Sequence, residues 1–542
     1  MLVDRVGHFG AAIANVHAIK TCEGIDITLA FVIFNSNTLA WSPDSRSLIF
    51  RINNALKRLE LAGGPAQTLC DCQATGASVN GDGVILMSSS SGIQRLSSVG
   101  GGASPVPVVT PGGPEERNVY PLFLPDGRHF LYLRSFQDAS QSGIFLGDLH
   151  APPNAQSPQR LLATEYSFAY APSSNGSQGR ILFLRNGTLM VQNWNVSGNS
   201  LAGDPIPLAD QVSTYAGFYN RMTVSANGIL VYRTGARVNT QLTWLDRNGK
   251  TISTVGPPDL YNVIVVSPDG TKAVVNRTDG SGKSDFWTVD LTQGASTRVT
   301  TDPGSPGNPV ISPDGSTVIY GSFRNRTPGI YRKPVTGAGI EEVILSPANS
   351  TSLTDLSRDG RFLLYFAASR ETGNDLWVLP LEGNRKPFPY LRTPYQEIAP
   401  RLSSDGRWIA YISTETGRRE VYVKRFIPEP DAGASAAAGK WLVSRNGAIG
   451  MVRWRKDGKE LYYLSADSRM MAVDVSTTSD FRSGALRVLF TVPEAFVHQS
   501  GTPGSLADIS SDGKRFLFAL PVQQNQAEEF KVVLNWESAL KK

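Results

Sequence analysis

Short apolar runs recur along the chain, and each is announced by a turn. Leu48-Ile49-Phe50, Phe130-Leu131-Tyr132, Val318-Ile319-Tyr320, Leu363-Leu364-Tyr365, Ile409-Ala410-Tyr411, Leu461-Tyr462-Tyr463 and Phe516-Leu517-Phe518 all end on an aromatic residue. Runs of this length, rich in β-branched and aromatic residues and bounded by turn residues, are buried strands. Many are followed by a second run of the same kind, such as Asp285-Phe286-Trp287-Thr288-Val289, Gly329-Ile330-Tyr331, Asp375-Leu376-Trp377-Val378 and Glu420-Val421-Tyr422-Val423. Each unit therefore predicts a multi-stranded antiparallel sheet. The apolar run Leu29–Phe34 is far shorter than the ~20 residues of a membrane-spanning helix and also reads as a strand.

The turns give the period. Ser42-Pro43-Asp44-Ser45, Leu124-Pro125-Asp126-Gly127, Ser267-Pro268-Asp269-Gly270 and Ser312-Pro313-Asp314-Gly315 are followed by Asp359-Gly360, Asp405-Gly406, Asp457-Gly458 and Asp512-Gly513. Weaker copies stand at Asp82-Gly83, Asn175-Gly176 and Asn227-Gly228. Pro presets φ at the first corner, Asp bonds the backbone two residues on, and Gly accepts the positive φ that closes the hairpin. A calcium-binding role for these aspartates is disfavoured, because one carboxylate per unit cannot supply six to eight oxygens. The eleven copies are spaced by 38 to 55 residues, the period of β-propeller blades, whose rings close at about four to eight. Eleven exceed one ring.

The sequence thus predicts an all-β chain of two consecutive β-propellers, each of about six four-stranded antiparallel blades. The first ring comes out short of a complete blade, with Leu29–Phe34 as its candidate remnant. The expected division is an unplaced segment 1–24, a first propeller over 25–256 and a second over 257–542, joined near Gly256-Pro257-Pro258. Stretches 100–117 and 428–439 read as surface loops.

Composition narrows the function. The 542 residues include 52 Gly and 34 Pro, which suits a turn-rich fold and argues against a helical bundle. Lys plus Arg number 52 against 47 Asp plus Glu, spread thinly, without the basic stripe that nucleic acid requires; nucleic acid is excluded as a partner. Cys22, Cys70 and Cys72 are too few for a disulfide framework. Cys70-Asp71-Cys72 lacks a second ligand pair for a metal and reads as a buried or edge thiol pair. Residues 1–24 show no export signal.

Catalytic motifs are missing. There is no Gly-x-Ser-x-Gly elbow, so an α/β-hydrolase peptidase is disfavoured. The five histidines, at 8, 17, 129, 150 and 498, are too scattered for a metal triad or a Ser/His pair, and His129 reads as a strand residue, not a base. Val16-His17-Ala18-Ile19-Lys20 matches the kinase lysine strand only by chance, since no His-Arg-Asp or Asp-Phe-Gly follows.

The Ser-Pro-Asp-Gly phrase followed by apolar, apolar and aromatic residues resembles the repeats of TolB-type β-propellers. Phe123–Leu133, Asp375–Leu381, Arg385–Pro389 and the ending Val532-Val533-Leu534-Asn535-Trp536 are similar to the C-terminal region of bacterial membrane-bound serine/threonine protein kinases. In that family a kinase domain and one membrane helix precede an extracytoplasmic propeller region. The resemblance implies the propeller region alone, without the kinase, in an extracytoplasmic setting. The expectation is a non-catalytic binding or sensor module taking a protein, peptide or glycan at a propeller face, with no catalytic, cofactor-binding or metal-binding residue nominated and no cofactor. The alternative is a hydrolase or lyase with its site in a propeller channel.

Overall fold

The computed structural model describes residues 38–541 except for short stretches, the longest being 98–103, 173–177, 429–438, 497–505 and 523–529. The strand expected at Leu29–Phe34, the segment 1–24, Cys22, and the histidines at 8, 17 and 498 lie outside the described residues. The chain divides into two compact units, Met1–Arg237 with Asn525–Lys542, and Val238–Gln524. The boundary expected near Gly256-Pro257-Pro258 falls inside the strand Thr251–Asp259 of the second unit.

In the first unit the described strands form four four-stranded sheets, a three-stranded sheet and a two-stranded one. The first sheet runs Leu39–Trp41, Ser47–Ile52, Ala55–Glu60 and Gln67–Cys70 in order. The three-stranded sheet joins Met222–Val224 and Ile229–Arg233 to the chain's last strand, Phe530–Leu534. Cys70 and Cys72 are joined as a disulfide, with Cα atoms 5.4 Å apart, which corrects the expected thiol pair. Their Cα separation falls within the usual span of a bridge, about 4.4–6.8 Å.

The second unit is a ring of six four-stranded antiparallel blades, the propeller that the repeat implies. The innermost strands of its blades are Tyr261–Val266, Gly307–Ile311, Thr351–Leu356, Glu397–Leu402, Ala448–Trp454 and Ala507–Ile509. Each touches the next, and the last touches the first, so they encircle a central axis. The sixth blade is composite. Its inner pair, Ala507–Ile509 and Phe516–Pro521, is completed by Thr240–Leu245 and Thr251–Asp259, with Thr240 opposite Pro521 and Leu245 opposite Phe516. The ring is closed by strands from its two chain ends.

The core lies between adjacent blades. Phe286 and Tyr320 pack edge to face across the first seam, with centroids 5.5 Å apart, and Tyr365 stacks on Trp377 in the cluster that includes Val310 and Leu353. The Pro-Asp-Gly phrases form the expected turns. Asp314 Oδ1 accepts from the Ser312 hydroxyl at 2.5 Å and from Ser316 N at 3.0 Å, while Gly315 takes φ 74°. In the copy that has Ser45 in place of Gly, the serine adopts φ 58°, so the turn imposes its geometry on whichever residue stands there.

Candidate functional site: the axis of the second unit

Counting back four residues from each turn aspartate of the second ring gives Val265, Val310, Asp355, Arg401, Arg453 and Asp508. All six lie on innermost strands. Val265 and Val310 join the apolar packing of the first two seams. In the other four blades the same position carries charge, and the chain thereby gathers two aspartates and two arginines around one axis.

Local backbone geometry aims these side chains. The inner strands carry irregularities in register just before the charged residue: between Leu353 and Asp355, between Ile398 and Arg401, and between Gly450 and Arg453. Two non-glycine residues inside these bulges, Ala399 and Met451, are in the left-handed region at φ 55° and 56°. A bulge redirects the side chain that follows it, and left-handed non-glycine residues carry strain that cluster at functional positions.

The two acids also stitch the ring. Asp355 Oδ2 accepts Leu402 N of the next blade at 2.7 Å, and Oδ1 accepts Leu356 N at 2.9 Å. Asp508 Oδ2 accepts Val266 N of the next blade at 2.8 Å, while Oδ1 accepts Ile509 N at 3.0 Å and Arg453 Nε at 2.6 Å. Ser78 of the first unit does the same for Phe123 N at 3.0 Å, so this contact belongs to the repeat. What distinguishes the second ring is the arginines.

Arg401 and Arg453 are held differently. Arg453 is in full contact with Asp508. The Arg401 guanidinium stands 4.0 Å from Asp355, donates through Nη1 to the Thr354 carbonyl, and leaves Nε buried without a hydrogen-bond partner. Burial, aided by repulsion from Arg453, pushes the Arg401 pKa down to about 10. Burial likewise raises the Asp355 pKa against the opposing pull of Arg401. The Arg401 and Asp355 side chains nonetheless remain 20% and 24% exposed, so solvent reaches both. The set can therefore receive negative charge at an arginine and exchange a proton at a carboxyl.

Other expected features carry less. His129 begins the strand His129–Ser135, and its Nδ1 lies 2.6 Å from Asp126 Oδ2 across the turn. A groove in the first unit, lined by Arg95, Val106, Leu149, His150 and Pro153, contains no carboxylate. Among the described residues no helix is long and apolar enough to cross a membrane. The four charged axis residues escaped notice in the sequence because each stands alone in its own repeat. Aligning the repeats on the turn aspartate and reading the fourth residue back would have found them.

No family model matches the chain. A curated relative, tricorn protease homolog 1 of Streptomyces coelicolor, is 26% identical over 148 residues, which is 27% of this chain and 13% of that protein's length. Among solved structures, a putative TolB from Agrobacterium tumefaciens is 17% identical with a TM-score of 0.41, covering 53% of this chain and 100% of that one. The tricorn protease is 14% identical with a TM-score of 0.33, over 86% of this chain and 54% of its own. An oligogalacturonate lyase in complex with manganese is 13% identical with a TM-score of 0.34, over 65% of this chain and 88% of its own. The structural likenesses concern the fold. The curated relative, named as a protease homologue, overturns the expectation of a non-catalytic sensor module and of a chain that is not an enzyme.

Proposed function

We propose that this chain is a hydrolase or lyase whose substrate is engaged at the axis of the second unit, with Arg401 and Arg453 taking up negative charge and Asp355 moving a proton. One observation carries the reading: a partly solvated carboxyl of raised pKa stands beside an arginine whose charge is incompletely matched. Hydrolysis and β-elimination both need a donor aimed at developing negative charge and a group that exchanges a proton near neutrality. The strand edges of the ring hold these groups on a rigid frame, and Asp508 fixes the direction of Arg453.

The curated relative supports an enzyme. Only 13% of its length is matched, and its activity as a whole is not transferred. Kinship with the propeller region of membrane kinases, carried by Phe123–Leu133 and Val532–Trp536, is part of the proposal as common descent of the repeat, without a sensor role. The test is turnover by the full chain of a fluorogenic peptide library and, separately, of oligogalacturonate. We expect cleavage of one of them, reduced about 100-fold or more in Asp355→Asn, with both proteins assayed well below the variant's melting temperature, which should fall because an amide cannot accept both Leu356 N and Leu402 N. Absence of turnover on both, or an Asp355→Asn protein as active as the parent, overturns the reading.

A further inference from the structure

In the second blade of the first unit, an arginine stands at a place where another blade supplies an acid. The third and fourth strands of that blade, Gly92–Ser97 and Val106–Val109, set Arg95 opposite Val106, after a register shift between Ile93 and Gln94. The second blade of the second unit repeats the pairing: Arg332 stands opposite Glu342, after a shift between Ile330 and Tyr331. There Arg332 Nε donates to Glu342 Oε2 at 2.7 Å, and Arg385, on the loop after the next blade's third strand, donates to Oε1 at 3.3 Å. The matching loop of the first unit opens alike, Leu149 N donating to Arg128 O as Leu381 N does to Arg361 O, but it brings His150 to a neighbour that is Val106 and not an acid. Among the described residues the Arg95 guanidinium and the His150 ring make no hydrogen bond or ion pair. Asp148, just before the loop, is committed to Arg128, whose Nε and Nη2 donate to Oδ1 and Oδ2 at 2.9 and 2.6 Å.

A groove of about 480 Å³, lined by Arg95 and His150, opens at this place, within the size range of small-ligand sites. The rest of its lining is apolar, with Val106, Leu149 and three prolines, and holds no carboxylate. Gln156 fixes the frame: its Nε2 donates to Val108 O and to Asp148 O, each at 3.0 Å, and its Oε1 accepts Asp148 N at 2.9 Å. A site held in shape beforehand loses less entropy on binding. We infer that this groove takes a small molecule bearing a carboxylate on a compact apolar body, with the carboxylate filling beside Arg95 the position that Glu342 fills beside Arg332. The strand edge speaks against a peptide. Val108 O is already taken by Gln156, Thr110 N donates to Pro153 O at 3.2 Å, and Pro107, Pro152 and Pro153 have no N–H, so an added strand would find few backbone partners. Selection is left to the arginine, whose planar fork matches a carboxylate, and to apolar contact. Binding here involves the first unit alone and does not depend on the proposed activity.

The experiment is titration calorimetry of the full chain with phenylbutyrate, its neutral amide phenylbutanamide, acetate, and a capped Glu-Phe dipeptide. We expect phenylbutyrate to bind about 5-fold more tightly than the amide, the upper end for an ion pair open to solvent, and acetate, which lacks the apolar body, to bind more weakly than either. Arg95→Gln should abolish the preference for the acid. Val106→Glu, which supplies the carboxylate from the chain itself as Glu342 does, should abolish it too. Equal binding of acid and amide by the parent overturns the inference without any variant, so it stays testable even where a variant does not fold. An acid preference that survives Val106→Glu, acetate binding as tightly as phenylbutyrate, or tighter binding of the dipeptide would each overturn it as well.

Discussion

Replacing Glu460 by Gln should loosen the closure of the second ring in a way that depends on pH. Glu460 opens the second strand of the fifth blade and is only 4% exposed. Its Oε1 accepts from Arg247 at 2.9 Å and Arg487 at 2.6 Å, and its Oε2 from Arg247 at 3.0 Å and Arg455 at 2.6 Å, with the Tyr462 hydroxyl also donating. Arg247 comes from the hairpin of the composite sixth blade, so the pair ties that blade to its neighbour. Burial works to raise the Glu460 pKa, but the hydrogen bonds from Arg247 and Tyr462 and the nearby arginine charges bring it from 4.5 down to about 2.

A drop of that size corresponds to about 3 kcal/mol through proton linkage. Partial exposure of the arginines reduces this to roughly 2–3 kcal/mol. The sign follows from the depressed folded pKa: the stabilisation is fully present above pH 4.5 and is lost as pH falls through about 2. Thermal unfolding followed by circular dichroism should show Glu460→Gln melting about 4–10 °C below the parent at pH 7. The gap should shrink towards pH 2–3, near the folded pKa of about 2. A gap of equal size at both pH values, or none at pH 7, would refute an electrostatic clamp at this seam.

Three further outcomes are expected. Tyr365→Ala should cost about 3–5 kcal/mol by denaturant unfolding, because the ring is 3% exposed and stacked on Trp377; full stability would disprove the blade register. Gly315→Val should cost about 1–2 kcal/mol through left-handed strain alone, since a Cβ there meets nothing within 4 Å, and Gly315→Asn should recover most of it in the same melts. Glu397 is buried, with one oxygen unpartnered, and burial followed by the charge of Asp375 pushes its pKa up to about 7 despite the opposing Thr393 hydroxyl. Its contribution is therefore present below pH 4.5 and lost as pH rises through about 7. Glu397→Gln should flatten stability across that window, and an unchanged pH profile would contradict it.

The propeller was legible in the sequence because its period is written in turn chemistry that few other structures require. Asp and Gly at fixed offsets, preceded by Pro in two copies and followed by an apolar run that ends on an aromatic in five of the six, mark the second strand of every blade in the second ring, from Lys272–Thr278 to Phe516–Pro521. The composite blade was not legible: Leu242–Leu245 looks like any other strand, and only pairing with Phe516–Pro521 assigns it to the second ring. The charged axis was hidden for a related reason. Asp355, Arg401, Arg453 and Asp508 are separated by about a blade each in sequence, and only the circular arrangement brings them to one place. A search for clustered motifs along the chain is blind to a site built from one residue per repeat.

The pairing of the last strand with Ile229–Arg233 has a consequence for the order in which the protein takes shape. Phe530–Leu534 completes a sheet of the first unit after the whole of Val238–Gln524 has been made, so the second ring is an insertion within the first. During synthesis the inserted ring has all its strands before the enclosing unit receives its own last one, and contacts this distant in sequence form late. Deletion of Phe530–Leu534 would therefore injure the first unit, whose sheet it completes, although the strand follows the inserted ring in sequence.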